Sequence, residues 1–190
     1  MPWQTLLPVI TLALGAILQY LGQWGADARQ RRAAQEARDA DRDRARQERR
    51  ETFELDHLLR LNEALLRYGR AAGRVHFHDA MVAKQSGEYA SHQLPEELNG
   101  ELYNAGREVL SLMHLVLDDN LRATVETVHR SYGRMTNLMR TTVEEADAAM
   151  VAAADAQDAA MRGIGARVRQ IYLDQAQVAE DRRTVDRQGG

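Results

Sequence analysis

The sequence predicts an all-α chain: an N-terminal transmembrane helix, a charged helical neck and an antiparallel up-down four-helix bundle. Three long coiled-coil-like helices are the alternative. Three observations carry this. The first charged side chain is Asp27, and residues 3–24 form an apolar run. Residues 25–52 then hold nothing more apolar than alanine. From Phe53 onward, apolar residues recur at spacings of three and four, the period of a helix that buries one face. Composition agrees, since aromatics are 5% and the last proline is Pro95.

The first segment reads WQTLLPVITLALGAILQYLGQW. A run of about 22 residues at 1.5 Å each spans roughly 33 Å, enough for a bilayer's hydrocarbon core. Trp3, Tyr20 and Trp24 sit near its two ends, where amphipathic aromatics meet the headgroups. Pro8 falls in the first turns, where a missing N–H costs little. A cleaved signal would need a basic leader, and none is present, although Ala26-Asp27-Ala28 matches a cleavage pattern. No polar face favours lying flat on the membrane. An uncleaved span is therefore expected. Arg29, Arg31, Arg32 and Arg38 follow it closely. The positive-inside rule puts them, and the carboxyl-terminal body, in the cytoplasm. A single-pass protein of the cell (inner or plasma) membrane with its amino terminus outside is the expectation, and the lipid bilayer is its first partner.

The neck, residues 25–52, mixes nine arginines with seven acids between Asp27 and Glu51. Alternating signs at helical spacing support an exposed helix through weak pairs three or four residues apart. A buried coiled-coil seam needs apolar residues that are missing here. Its first arginines, Arg29, Arg31 and Arg32, are placed to meet anionic headgroups.

The bundle is expected over residues 53–182, with a polar tail at 183–190. Glu54, Leu58, Leu61, Leu65, Tyr68, Ala72, Val75, Asp79 and Val82 form the stripe of a first helix over roughly 52–84. Residues 85–94 read as a loop, and Pro95 suits the first turn of a second helix. That helix carries Leu98, Leu102, Ala105, Val109, Leu112 and Val116. Its end is apolar on nearly every side, because Leu110, Met113 and Leu117 add a second face. Val109, Leu110, Leu112, Met113, Val116 and Leu117 are thus either the bundle's centre or a self-association surface. Asp118, Asp119 and Asn120 offer an N-cap for a third helix, with Leu121, Val125, Val128, Tyr132, Met135 and Met139 inside. Thr142 and Glu145 fit a capping box. The apolar phase also slips there, so a fourth helix is expected, with Met150, Ala154, Met161, Ile164, Val168, Ile171 and Val178 as its stripe. The methionines at 81, 113, 135, 139, 150 and 161 read as core filler.

Chemistry is sparse. Two E-x-x-H motifs, Glu54…His57 and Glu126…His129, have the spacing of di-metal bundle ligands. Glu126 lies off its stripe and at a different height from Glu54, so all four are expected to be surface or boundary residues. His76 and His78 point in different directions on a helix, and His92 is in a loop. His114 is expected inside, and Asp79 near the bundle's end, within reach of water. Cysteine is absent, which removes disulfide and thiolate chemistry. No nucleophile elbow, phosphate loop or dinucleotide fingerprint occurs. No catalytic residue, cofactor or metal is expected, and the chain is not expected to be an enzyme. Lys84 is the only lysine among 25 basic residues, a bias that fits a high-GC genome. Nucleic-acid binding is not expected, because the arginines alternate with acids and the net charge is −3.

LLPVITLALGAIL, RQRRAAQEARDADRDRARQERR and LSLMHLVLDDNLRATVETV together resemble, in composition, small actinobacterial and actinophage membrane proteins. Those have a leading span, an Arg/Glu-rich neck and a short helical bundle. The resemblance implies the fold and no particular activity. The expected role is a membrane-anchored helical scaffold or interaction protein, with a second copy or another helical protein as partner. The alternatives are a phage envelope or lysis component of the inner-membrane spanin type, and a stalk subunit laid out like the ATP synthase b subunit.

Overall fold

The computed structural model describes the backbone of residues 3–90, 93–136 and 142–188. Side chains are described from Gln30 onward, apart from those at 181, 182, 185, 186 and 188. Among the described residues there are four α-helices: α1 (Trp3–Ser86), α2 (Glu96–Met113), α3 (Asp119–Thr136) and α4 (Val143–Gln188). The chain divides into two units, Met1–Arg50 and Glu51–Gly190.

In the first unit the neck is helical, and its side chains from Gln30 to Arg50 face solvent, Ala45 only in part. Arg42, Arg44 and Arg46 bond Asp39, Asp41 and Asp43, each three residues back, at 3.2–3.4 Å. Such exposed pairs support a helix only weakly. Among the described residues, no helix is long and apolar enough to cross a membrane. The apolar run 3–24, with Trp3, Tyr20 and Trp24, and Arg29 after it, lies outside the described side chains.

The second unit is a four-helix bundle whose neighbours run antiparallel. Arg67 meets Glu108 and Arg74 meets Glu101, so α1 and α2 run in opposite directions. His76 meets Asp147 and Glu54 meets Arg167, which sets α4 antiparallel to α1. Tyr68 of α1 packs on both His129 and Tyr132 of α3, across the core.

The stripe on α1 buries as expected from Leu58 to Val75, and so does that of α3 from Leu121 to Met135. Met139, His92 and residue 141 lie outside the described residues. Burying each such Leu or Val contributes about 1.5–3 kcal/mol against an exposed position. The third and fourth helices are separate. Thr142 Oγ1 accepts from the Glu145 N–H, and Glu145 Oε2 accepts from the Thr142 N–H, both at 3.2 Å. Both donors would otherwise be orphaned at the start of α4. Asp118 caps α3 by accepting the Leu121 N–H at 2.8 Å. Gly87, at φ +80°, ends α1 and donates its N–H to the Ala83 carbonyl at 2.8 Å. That left-handed residue, bonded four residues back, is a common helix stop.

Several expectations are corrected. Helix α2 ends at Met113, so the apolar run to 117 is split between a helix and a turn. Leu115 and Leu117 in that turn are exposed. On α4 the buried positions are Ala146, Ala153, Ala160, Ile164 and Ile171, a heptad pattern. Ala154 lies off it, Val178 continues the Ile164–Ile171 position, and both are exposed. Alanine transfers so little apolar surface that its position weighs little in the pattern, although it decides how close two helices come. Helix α4 also extends to Gln188, through the expected tail. Met81 is 42% exposed and does not fill the core.

Candidate functional site

Three polar clusters tie the bundle's helices together. The first joins α1 to α4. Glu54 occupies a core position on α1 and is 5% exposed. Arg167 Nε donates to Glu54 Oε1 at 2.6 Å, and its Nη2 donates to Oε2 at 3.0 Å. The carboxylate raises the pKa of the Arg167 guanidinium, chiefly through this hydrogen bonding. Arg167 falls seven residues after Ala160, on the same heptad position as Ala153 and Ala146. The heptad therefore delivers its side chain to Glu54.

His57, one turn on from Glu54, is also 5% exposed. The Leu112 carbonyl can only accept, so His57 Nε2–H donates to it, at 2.7 Å. The imidazole stacks on Phe53, with centroids 5.8 Å apart. Glu54 and His57 are thus buried rather than surface or boundary residues. The other motif is elsewhere: Glu126 is exposed beside Arg130, and His129 stacks on Tyr68. The Nδ1 of His129 is buried without a hydrogen-bond partner among the described residues. The two E-x-x-H motifs do not meet. Among the described residues, no group of three or more His, Cys, Asp or Glu could hold a metal ion.

The second cluster closes one end of the bundle. His76 on α1 lies between Asp147 of α4 and Tyr89 of the α1–α2 loop, 2.8 Å from each. The Asp147 carboxylate accepts from Nε2, and in the neutral ring Nδ1 accepts from the Tyr89 hydroxyl. Burial, then the charges of Asp79 and Asp147, pushes the Tyr89 pKa up to about 12. The hydroxyl therefore stays a donor at neutral pH. Beneath it, Ala83, Tyr89 and Ala146 form a small apolar cluster. Asp79 is 6% exposed, so it is buried rather than open to water. Its contact is His78, 3.4 Å away.

The third cluster lies in the core between α1, α3 and α4. Tyr132 donates its hydroxyl to Gln157 Oε1 at 2.6 Å. A Cβ on Gly69 would stand 2.2 Å from that same oxygen, so glycine leaves room for the Gln157 amide in this position. Arg167, Gln157 and Gly69 were not visible as site residues in the sequence. The signal for the first two was the alanine heptad, which points to 167 and, from Met150 and Ile164, to 157.

Of the candidate self-association residues, Val109, Leu112, Met113 and Val116 are buried within this bundle. Leu110 and Leu117 are 37% and 46% exposed. Tyr103 of α2 and Leu115 of the following turn are exposed apolar side chains as well. His114 is exposed and caps the end of α2, in place of the interior position expected for it. Arg31 and Arg32 of the membrane-interface set are exposed. Comparisons with protein-family models, curated proteins and solved structures find no match.

Proposed function

We propose that the protein is a membrane-anchored helical scaffold, which holds its bundle at the cytoplasmic face for a helical partner or a second copy. It performs no chemistry of its own. The observation that carries this is the charge-free run 3–24 followed at once by Arg29, Arg31 and Arg32. A run of that length and apolarity suits a bilayer core, and the arginines suit its cytoplasmic side. The bundle's polar groups also support a structural role. Glu54, His57, His76 and Tyr132 each spend their hydrogen bonds on holding one segment to another. The exposed Tyr103, Leu110, Leu115 and Leu117 supply the surface on which a helical partner would bury apolar area.

Carboxyl-terminal reporter fusions test this. A reporter that fluoresces only in the cytoplasm should be active, and an exported phosphatase should be silent. An active phosphatase with a dark cytoplasmic reporter would contradict it and favour the spanin arrangement, whose body lies outside the cytoplasm.

A further inference from the structure

Helices α1 and α2 face each other across three rungs. Arg67, Arg70 and Arg74 line one edge of α1, spaced three and four residues apart. Glu101, Asn104 and Glu108 line the facing edge of α2, with the same spacing. The helices are antiparallel, so the rungs are Arg67 with Glu108, Arg70 with Asn104, and Arg74 with Glu101. The outer two are ion pairs at 2.6 Å. The middle rung has no acid. Among the described residues, neither the Arg70 nor the Asn104 side chain makes a hydrogen bond or ion pair.

Around this rung the two edges border a solvent-open groove of about 460 Å³, floored by Ala71 and Ala105. That volume falls in the range of small-ligand sites, roughly 300–1,000 Å³. Arg67 pairs with Glu108 and, at 3.8 Å, with Glu63, and Arg74 pairs with Glu101, so Arg70 is the lining arginine without an acidic partner among the described residues. The free guanidinium and the side-chain amide both offer N–H donors, and a planar guanidinium matches a carboxylate in two parallel bonds. The alanine methyls below suit a short apolar chain. A single carboxylate matches the one unpaired guanidinium, whereas a dianion would place its second charge beside Glu101 and Glu108.

We infer that the α1–α2 groove at Arg70 and Asn104 is a binding site for a small monocarboxylate with an apolar tail, the ligand's carboxylate completing the middle rung. This does not depend on the chain being membrane-anchored, so the two can fail separately.

The test uses the full chain in neutral-detergent micelles at low salt, titrated with sodium hexanoate by calorimetry, with protein-free micelles subtracted. Hexanamide, which has the same tail without the charge, is the control. Saturable hexanoate binding is expected, with a dissociation constant on the order of millimolar. Arg70→Gln removes the free charge, and Asn104→Glu supplies the missing acid from within. Both positions are exposed, and circular dichroism checks that the helices persist. Each variant should weaken hexanoate binding by about tenfold or more, and hexanamide should not bind. No saturation by about 30 mM would overturn the inference. So would equal binding of hexanamide, or hexanoate binding that neither variant changes.

Discussion

Arg167 on α4 grips Glu54 on α1 through two hydrogen bonds, of 2.6 and 3.0 Å, across 113 positions of sequence. Glu54 is 6% exposed at its side chain, while Arg167 keeps 34% of its side chain in reach of water. The pair fixes the register of α4 against α1 at the end of the bundle where α1 enters it.

Removing one partner strands the other. Arg167→Ala leaves a buried carboxylate without its cation, a change that costs about 3–5 kcal/mol for fully buried pairs. Arg167 is partly solvated, so a loss of about 2 kcal/mol is expected. Replacing both residues together, Glu54→Met with Arg167→Leu, should lose less than either single change, because no charge is left buried. Urea denaturation of the natural chain, Arg167→Ala, Glu54→Met, Arg167→Leu and the double variant measures this.

Gly69→Ala should act through Gln157. The new methyl takes the place of Gln157 Oε1, so the amide must swing away from the Tyr132 hydroxyl. A buried hydroxyl without its acceptor costs about 1–3 kcal/mol. Tyr132→Phe should then remove most of the penalty, since no donor remains to be stranded. Gly133→Ala, where nothing lies within 4 Å, is the control and should stabilise α3 by about 0.5–1 kcal/mol, the ordinary helix gain of alanine over glycine.

Alkaline pH should destabilise the bundle before it destabilises helices in general. Burial, with Tyr132 nearby, pushes the Tyr68 pKa up to about 12, and Tyr89 reaches about 12 as well. Below pH 10 both hydroxyls are protonated, folded or unfolded, and this contribution is complete. Between about pH 10 and 12 the unfolded chain ionises first, so unfolding releases protons and stability falls as pH rises. Urea midpoints between pH 8 and 11.5 should drop more steeply in the natural chain than in Tyr68→Phe with Tyr89→Phe.

Much of the bundle could be read from residue order because each helix advertises itself. The three-and-four spacing of Leu58, Leu61 and Leu65, the Thr142–Glu145 box and the Asp118 cap all act locally. The parts that could not be read depend on distant partners. Arg167 is one of 24 arginines, and only its height opposite Glu54 distinguishes it. His114 follows a dense apolar run, yet α2 stops one residue earlier and turns it outward. The middle rung at Arg70 is invisible without the pairing of α1 with α2, because its meaning is an acid missing from another helix.

Fractionation with alkaline carbonate extraction tests the central claim, that residues 3–24 anchor this bundle to a membrane, most directly. The full chain and a variant lacking 3–24 would be expressed side by side and followed in pellet and supernatant. The full chain should stay in the carbonate-washed membrane pellet, and the shortened chain should be released into the supernatant. A full chain recovered in the supernatant, or a shortened chain that still resists extraction, would contradict the anchor.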